Sequence, residues 1–185
     1  LDSIRRFPAD RRRQGDLGDI SPSAPRHYDS VRPVQHYLAN GTRMIGIVPD
    51  DTGRVAGWVA EQLEFDGGFG PHFAVGIRDG ETPIAGIVYH HMTDRDTQVS
   101  MAAISPKWCR RGTLQYLFRT PFQHLGKTRM TAISAKRNKR ARKLLSGLGF
   151  REEGRAEKYF DDSRNGDAII YGILRNNCKW IENHG

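Results

Sequence analysis

The sequence predicts an α/β domain, antiparallel in its first half and running strand, helix, strand, helix, strand in its second. Three observations carry this. Two apolar runs, Phe73 to Ile77 and Ile84 to Tyr89, flank Arg78-Asp79-Gly80-Glu81, whose Asp-Gly pair signals a hairpin. Met130-Thr131-Ala132-Ile133 reads as a buried strand between two helical patterns. From Asn138 to Gly149 a helix has both a start and a stop signal, with Ala141, Leu144, Leu145 and Leu148 on one stripe.

The elements follow in order. Residues 1–33 hold Pro8, Pro22, Pro25 and Pro33, scattered charge and almost no periodic apolar pattern, and are expected to be an extended or disordered N-terminal tail able to dock on a protein partner. Residues 34–185 are expected to form one domain, the number that a chain of 185 residues favours. Met44 to Val48 reads as a strand closed by a turn at Pro49-Asp50-Asp51. Val55, Trp58, Val59 and Leu63 recur at helical spacing, which predicts a helix from about Thr52 to Phe65. The loop Asp66-Gly67-Gly68-Phe69-Gly70-Pro71 lacks the strand-to-helix context of a phosphate-binding loop and is read as a connection only. After the hairpin, a strand from about Gln98 to Ile104 stops at Ser105-Pro106, and a helix carrying Leu114, Leu117, Phe118 and Phe122 follows. The segments from Phe150 to Tyr159 and from Asp167 to Leu174 are read as two final strands.

Charge is concentrated in one region. Thr97 to Arg151 contains thirteen Lys or Arg and no Asp or Glu, although the whole chain has 29 basic and 21 acidic residues. The other positions are therefore net acidic, and the overall +8 is local. Such a block points to a phosphate-rich ligand. Lys136, Arg137, Lys139, Arg140, Arg142 and Lys143 crowd the start of the helix at Asn138, where cations are unfavourable until an anion joins them. Lys107, Arg110 and Arg111 precede Gly112 and a second helix start, where backbone amides can cradle a pyrophosphate. Two such places suit a ligand with separated phosphates.

Other classes are excluded or set lower. No apolar run approaches the roughly 20 residues that span a bilayer, so no membrane association is expected. Cys109 and Cys178 are in no metal-ligand spacing, so neither a metal site nor a disulfide framework is expected, and a reducing, cytoplasmic setting fits. Nucleic acid ranks below a polyphosphate cofactor, since only charge favours it and no stacking motif accompanies the charge.

The segment Ile104-Ser105-Pro106-Lys107-Trp108-Cys109-Arg110-Arg111-Gly112-Thr113-Leu114 resembles the pyrophosphate loop of the GNAT superfamily of acyl-CoA-dependent N-acetyltransferases. Asn138 with Leu144-Leu145-Ser146-Gly147-Leu148-Gly149-Phe150 is similar to that family's second CoA motif, and Arg151-Glu152-Glu153-Gly154-Arg155 resembles an ending frequent in its ribosomal-protein acetyltransferases. The segment Asp167 to Trp180 also looks like GNAT-like proteins of tailed bacteriophages, which would place the chain in a host cytoplasm or a virion. The resemblance covers about Met44 to Leu174. It implies a mixed, mostly antiparallel twisted sheet flanked by helices, acetyl-CoA as cofactor and an unidentified amine as acceptor.

It also implies site residues. Backbone at Ala103 and Ile104, the loop residues Arg110, Arg111, Gly112 and Thr113, and Asn138 and Arg142 would contact the cofactor. An amine acceptor also needs a base, which His90 or His91 can supply unless each is only a surface or hydrogen-bonded histidine, with Ser100 a further catalytic candidate and Asp96 and Tyr116 beside it. Glu152, Glu153 and Glu157 read either as carboxylates that could attract a cationic acceptor or as a solvated strand face, and Trp108, beside the cofactor or in the core, is expected in the core. Three departures stand out: Cys109 and Leu114 replace the family's loop residues, and Leu145 stands where a Tyr often protonates the leaving thiolate. They keep open an alternative, a GNAT-fold structural or interaction module with weak or absent catalysis.

Overall fold

The computed structural model describes residues 45–50, 53–163 and 165–181. The expected tail and Met44 lie outside them. Among the described residues seven strands form one sheet: β1 Ile45–Asp50, β2 His72–Asp79, β3 Thr82–His90, β4 Asp96–Ala103, β5 Arg129–Ala135, β6 Arg151–Ala156 and β7 Ala168–Leu174. Their order is β1-β2-β3-β4-β5-β7-β6. Every neighbouring pair is antiparallel except β4 and β5, so the sheet is mixed and mostly antiparallel.

Three α-helices among the described residues flank it: α1 Arg54–Gln62, α2 Arg111–Arg119 and α3 Lys139–Leu148. Side chains alternate across a strand, and α1 uses one face, where Ala56 and Val59 pack with Ala74, Val88, Ala102 and Phe69. The opposite face carries Tyr89, whose hydroxyl donates to Leu117 O of α2 at 2.7 Å. Phe118 of α2 meets Phe122, Phe150 and Trp180 there.

Some boundaries differ from expectation for clear reasons. Pro49 lies inside β1, where an edge strand tolerates a residue that donates no hydrogen bond. The helix of Leu114 does not run regularly to Phe122. It changes at Thr120 into a single wide turn, Thr120–His124, in which Leu125 N–H reaches Thr120 O at 2.9 Å. Pro121 lacks the N–H that a regular continuation needs. β6 ends at Ala156, and Lys158, in the left-handed region at φ 51°, turns the chain before Tyr159.

The helix expected after Asn138 forms as its signals indicate. Asn138 Oδ1 accepts from Ala141 N–H at 3.0 Å, and Gly149 closes the helix at φ 107°. Two carbonyls of its last turn, which a free helix leaves to water, are taken by Lys179 Nζ on Gly147 O and Trp180 Nε1 on Leu148 O.

Gly86 sets the closeness of α1. A Cβ there would stand 2.6 Å from Val59 Cγ2 and 3.1 Å from Val55 Cγ1. Gly86→Ala should therefore lower the unfolding free energy by about 1–3 kcal/mol in urea titration. Gly46→Ala in the edge strand, where a Cβ would meet nothing within 4 Å, should change it by less than about 0.5 kcal/mol.

Candidate active site

β4 and β5 run together only from Asp96↔Arg129 to Val99↔Ala132 and then part. Beyond Val99 β4 remains paired with β3, through Ala103↔Ala85, and β5 remains paired with β7, through Ala135↔Ala168. Peptide groups alternate in direction along a strand. Arg95 O accepts from Arg129 N–H on the β5 side, while Ile104 N–H donates to Ile84 O on the β3 side. Odd-numbered residues of β4 therefore face β5, and the backbone of Met101 and Ala103 points into the gap.

This corrects one expectation. The amide of Ile104 is committed to β3, although its side chain is 60% exposed. The backbone facing the gap beside Ala103 is that of Met101. Motif reading missed it because the choice depends on strand phase.

A cavity of about 520 Å³ occupies the gap and reaches both faces of the sheet. From the face of α2 and α3 it is lined by Leu114, Leu117, Asn138, Ala141 and Leu145, and from the face of α1 by Phe69, His90, Gln98 and Ser100. Trp108 is buried and contributes wall, as expected of a core residue.

On the first face, α2 begins at Arg111 with Arg110 as its cap residue and no acidic side chain in its first turn. Gly112 leaves space, since a Cβ there meets nothing within 4 Å. Arg110, Arg111 and Gly112 are exposed while Thr113 is buried, and neither arginine has an ion-pair partner among the described residues. Lys107 is different, its Nζ lying 2.6 Å from Asp79 Oδ2.

The basic residues around α3 also divide. Lys136 contacts Asp167, and Arg137 binds Asp161 at 2.8 Å. Arg142, expected at the cofactor, donates from Nε to Tyr171 Oη at 3.1 Å and from Nη1 to Lys136 O at 3.3 Å, and its Nη2 lies 3.5 Å from Glu152. It braces α3 against the sheet. Lys139, Arg140 and Lys143 have no such partner among the described residues.

The second face holds the titratable groups. His90 is 2% exposed, its Nε2 is 2.9 Å from Ser100 Oγ, and its Nδ1 is 2.5 Å from His91 Nδ1. His91 is exposed and in the left-handed region at φ 46°, which turns its ring back toward His90. The Phe69 ring lies 5.0 Å from that of His90. Burial first, then the neighbouring His91 and His72, lowers the His90 pKa to about 4. The glycine-rich loop read as a mere connection thus positions a wall of the site: Gly68 and Gly70, at φ 64° and 61°, place Phe69 against His90.

The remaining candidates lie elsewhere. Asp96 accepts from Thr131 Oγ1 at 2.6 Å and faces Arg129, at the paired end of β4. Tyr116 does not line the cavity, and burial raises its pKa. Glu152, Glu153 and Glu157 are paired with Arg142, Arg129 and Arg155 and are not held ready for a cationic ligand. Among the described residues no group of His, Cys, Asp or Glu is arranged to hold a metal ion, and no helix is long and apolar enough to cross a membrane.

No protein-family model matches the chain, and no curated protein matches it. Solved structures do. A ribosomal-protein-S5-alanine acetyltransferase from Vibrio fischeri aligns with 23% identity and TM-score 0.50, over 59% of this chain and 63% of its own. Mutant forms of the spermidine/spermine N-acetyltransferase SpeG from Vibrio cholerae align with 15% identity and TM-score 0.57, over 72% of this chain and 96% of their own. Mycobacterium smegmatis RimJ in complex with CoA-disulfide aligns with 16% identity and TM-score 0.52, over 71% and 82%. At these identities the likeness is one of fold, and it does not bear on the expected likeness to bacteriophage proteins. The parted strands, the flanking helices and these neighbours agree that the chain has the fold of the GNAT acetyltransferases.

Proposed function

We propose that this protein is an acetyl-CoA-dependent N-acetyltransferase. The observation that carries the proposal is the cavity that crosses the sheet where β4 and β5 part, with anion-binding features on one face and a histidine relay on the other.

The cofactor side fits the chemistry of CoA. The α2 N-terminus offers unpaired first-turn amides at Arg111, Gly112 and Thr113, with Arg110 and Arg111 unopposed by acid among the described residues. An extended arm carrying amide groups would pair with the Met101 and Ala103 backbone, which would otherwise stay unsatisfied within the cleft. Asn138 keeps its side-chain N–H₂ free after capping α3 through Oδ1. Bound acetyl-CoA supplies a thioester carbonyl open to attack by an amine, with the C–N bond forming as the C–S bond breaks.

The relay handles the proton. With a pKa near 4, His90 is neutral around neutral pH and carries one N–H. With the hydrogen on Nδ1, it donates to His91 and accepts from Ser100. With the hydrogen on Nε2, it donates to Ser100 and accepts from His91. Exchange between these states carries a proton from Ser100 to the exposed His91 without charging the buried ring. The attacking amine loses its proton by that route. Leu144, Leu145 and Leu148 on the α3 wall donate nothing, so the leaving thiolate takes its proton from water.

Calorimetric titration should detect acetyl-CoA binding to the full chain, weakened about ten-fold or more in Arg110→Ala/Arg111→Ala. No binding by the parent chain would overturn the proposal. Binding without transfer to any amine would favour the non-catalytic GNAT-fold module.

His90 also ties stability to pH. Its folded value of about 4 lies below the ordinary 6.5, so on acidification the unfolded chain takes up this proton first. Stability is lost as pH falls from 6.5 toward 4. From about pH 7 to about pH 5 the parent chain should lose roughly 2 kcal/mol more than His90→Gln in urea titration. Equal losses would show that the ring is not held neutral.

A further inference from the structure

The rim of the cavity points to the class of acceptor. Eight large apolar side chains are exposed among the described residues, and four of them line this one cavity: Leu63 at 44%, Phe65 at 41%, Tyr159 at 53% and Phe160 at 48%. Leu63 and Phe65 follow α1, and Tyr159 and Phe160 follow β6, so two separate segments bring apolar surface to one opening. Phe65 packs against Phe69 at 5.1 Å, and Phe69 reaches His90, giving a continuous aromatic path from the rim to the relay. Tyr159 and Phe160 meet edge to face at 5.0 Å.

Charge in the cavity runs against a polyamine. Among the described residues no Asp or Glu lines it, and its one Arg, Arg137, is cationic and tied to Asp161. Glu64 and Asp66 flank Phe65 in the chain, but neither lines the cavity. A second or third ammonium group on an acceptor would enter without a counter-charge, which is costly, whereas a flat apolar body would replace water on aromatic surface.

We propose that the acceptor is a small primary amine borne on an aromatic or other flat apolar body, seated between Phe65 and Tyr159 with its nitrogen toward Ser100 and His90. This rests on the acetyltransferase reading for its chemistry, though the binding preference can be measured without turnover.

The probes are 2-phenylethylamine and spermidine, each titrated by calorimetry into the full chain in saturating CoA and then assayed for acetylation with acetyl-CoA. Phenylethylamine should bind at least about ten-fold more tightly than spermidine, and Phe65→Ala/Tyr159→Ala should remove most of that preference. Equal or tighter binding of spermidine, no detectable binding of phenylethylamine, or an unchanged preference in the double variant would overturn the inference. Phenylethylamine that binds selectively while neither amine is acetylated would uphold the site's binding preference and count against the acetyltransferase reading. Preferential acetylation of spermidine would do the reverse.

Discussion

The parting of β4 and β5 is the constraint on which the rest of the molecule depends. Each strand is held by its other neighbour: Ile104 N–H binds Ile84 O on β3, and Lys136 N–H binds Asp167 O beside β7. At the paired end the two are clasped, with Arg95 O accepting from Thr128 and Arg129 and with Asp96 accepting from Thr131. Closing the gap would give Met101 and Ala103 strand partners and would remove the cavity that Leu114, Leu117 and Trp108 line. The parting thus leaves backbone groups available that a regular sheet would consume.

The basic block is partly structural. Its Lys136 reaches Asp167, which is 5% exposed and also accepts from Lys158 N–H and the Arg155 side chain, both beyond the block, and those contacts hold its carboxyl below the usual range. Arg129 bridges Asp96 and Glu153 across the open face, over Gly172, where a Cβ would stand 2.3 Å from Glu153 Oε1. Exposed pairs of this kind are worth about 0–1 kcal/mol each, so their main effect is to fix where the cations point. What remains unopposed among the described residues, Arg110, Arg111, Lys139, Arg140 and Lys143, sits at or near the starts of α2 and α3. The helix termini and the cations beside them therefore both favour an anion.

Much of this is legible in the sequence, and the parts that are not share a cause. Asn138 and Gly149 mark α3 because capping is local chemistry, and the Asp-Gly hairpin is legible for the same reason. His90, His91 and Ser100 are each legible as candidates, but their chain of contacts depends on the register Val88↔Ser100, which puts residues ten apart on one face. The choice of Met101 over Ile104 depends on strand phase. Arg142 reads as a phosphate ligand by position, and only its approach to Tyr171 shows where its donors go. The Gly-rich loop carries no recognisable motif, because its contribution is one side chain placed at long range.

The apolar rim and the depressed histidine have one physical origin. Burial against Phe69 disfavours a positive charge on His90, and the same surroundings disfavour an ammonium ion entering without a carboxylate partner. On the proposed reading, an amine that reaches Ser100 would give up its proton more readily than in water and so become nucleophilic. The ring beside it would not keep that proton, because burial penalises its own cation. Of the three linked groups only His91 is exposed, so the proton would travel from the amine through Ser100 and His90 and out to solvent. A carboxylate at Gln98 or Ser100 would hold a cationic acceptor better but would also retain its proton. The absence of acid from the described cavity lining is, on the proposed reading, the same feature that would let the neutral His90 ring pass the proton on.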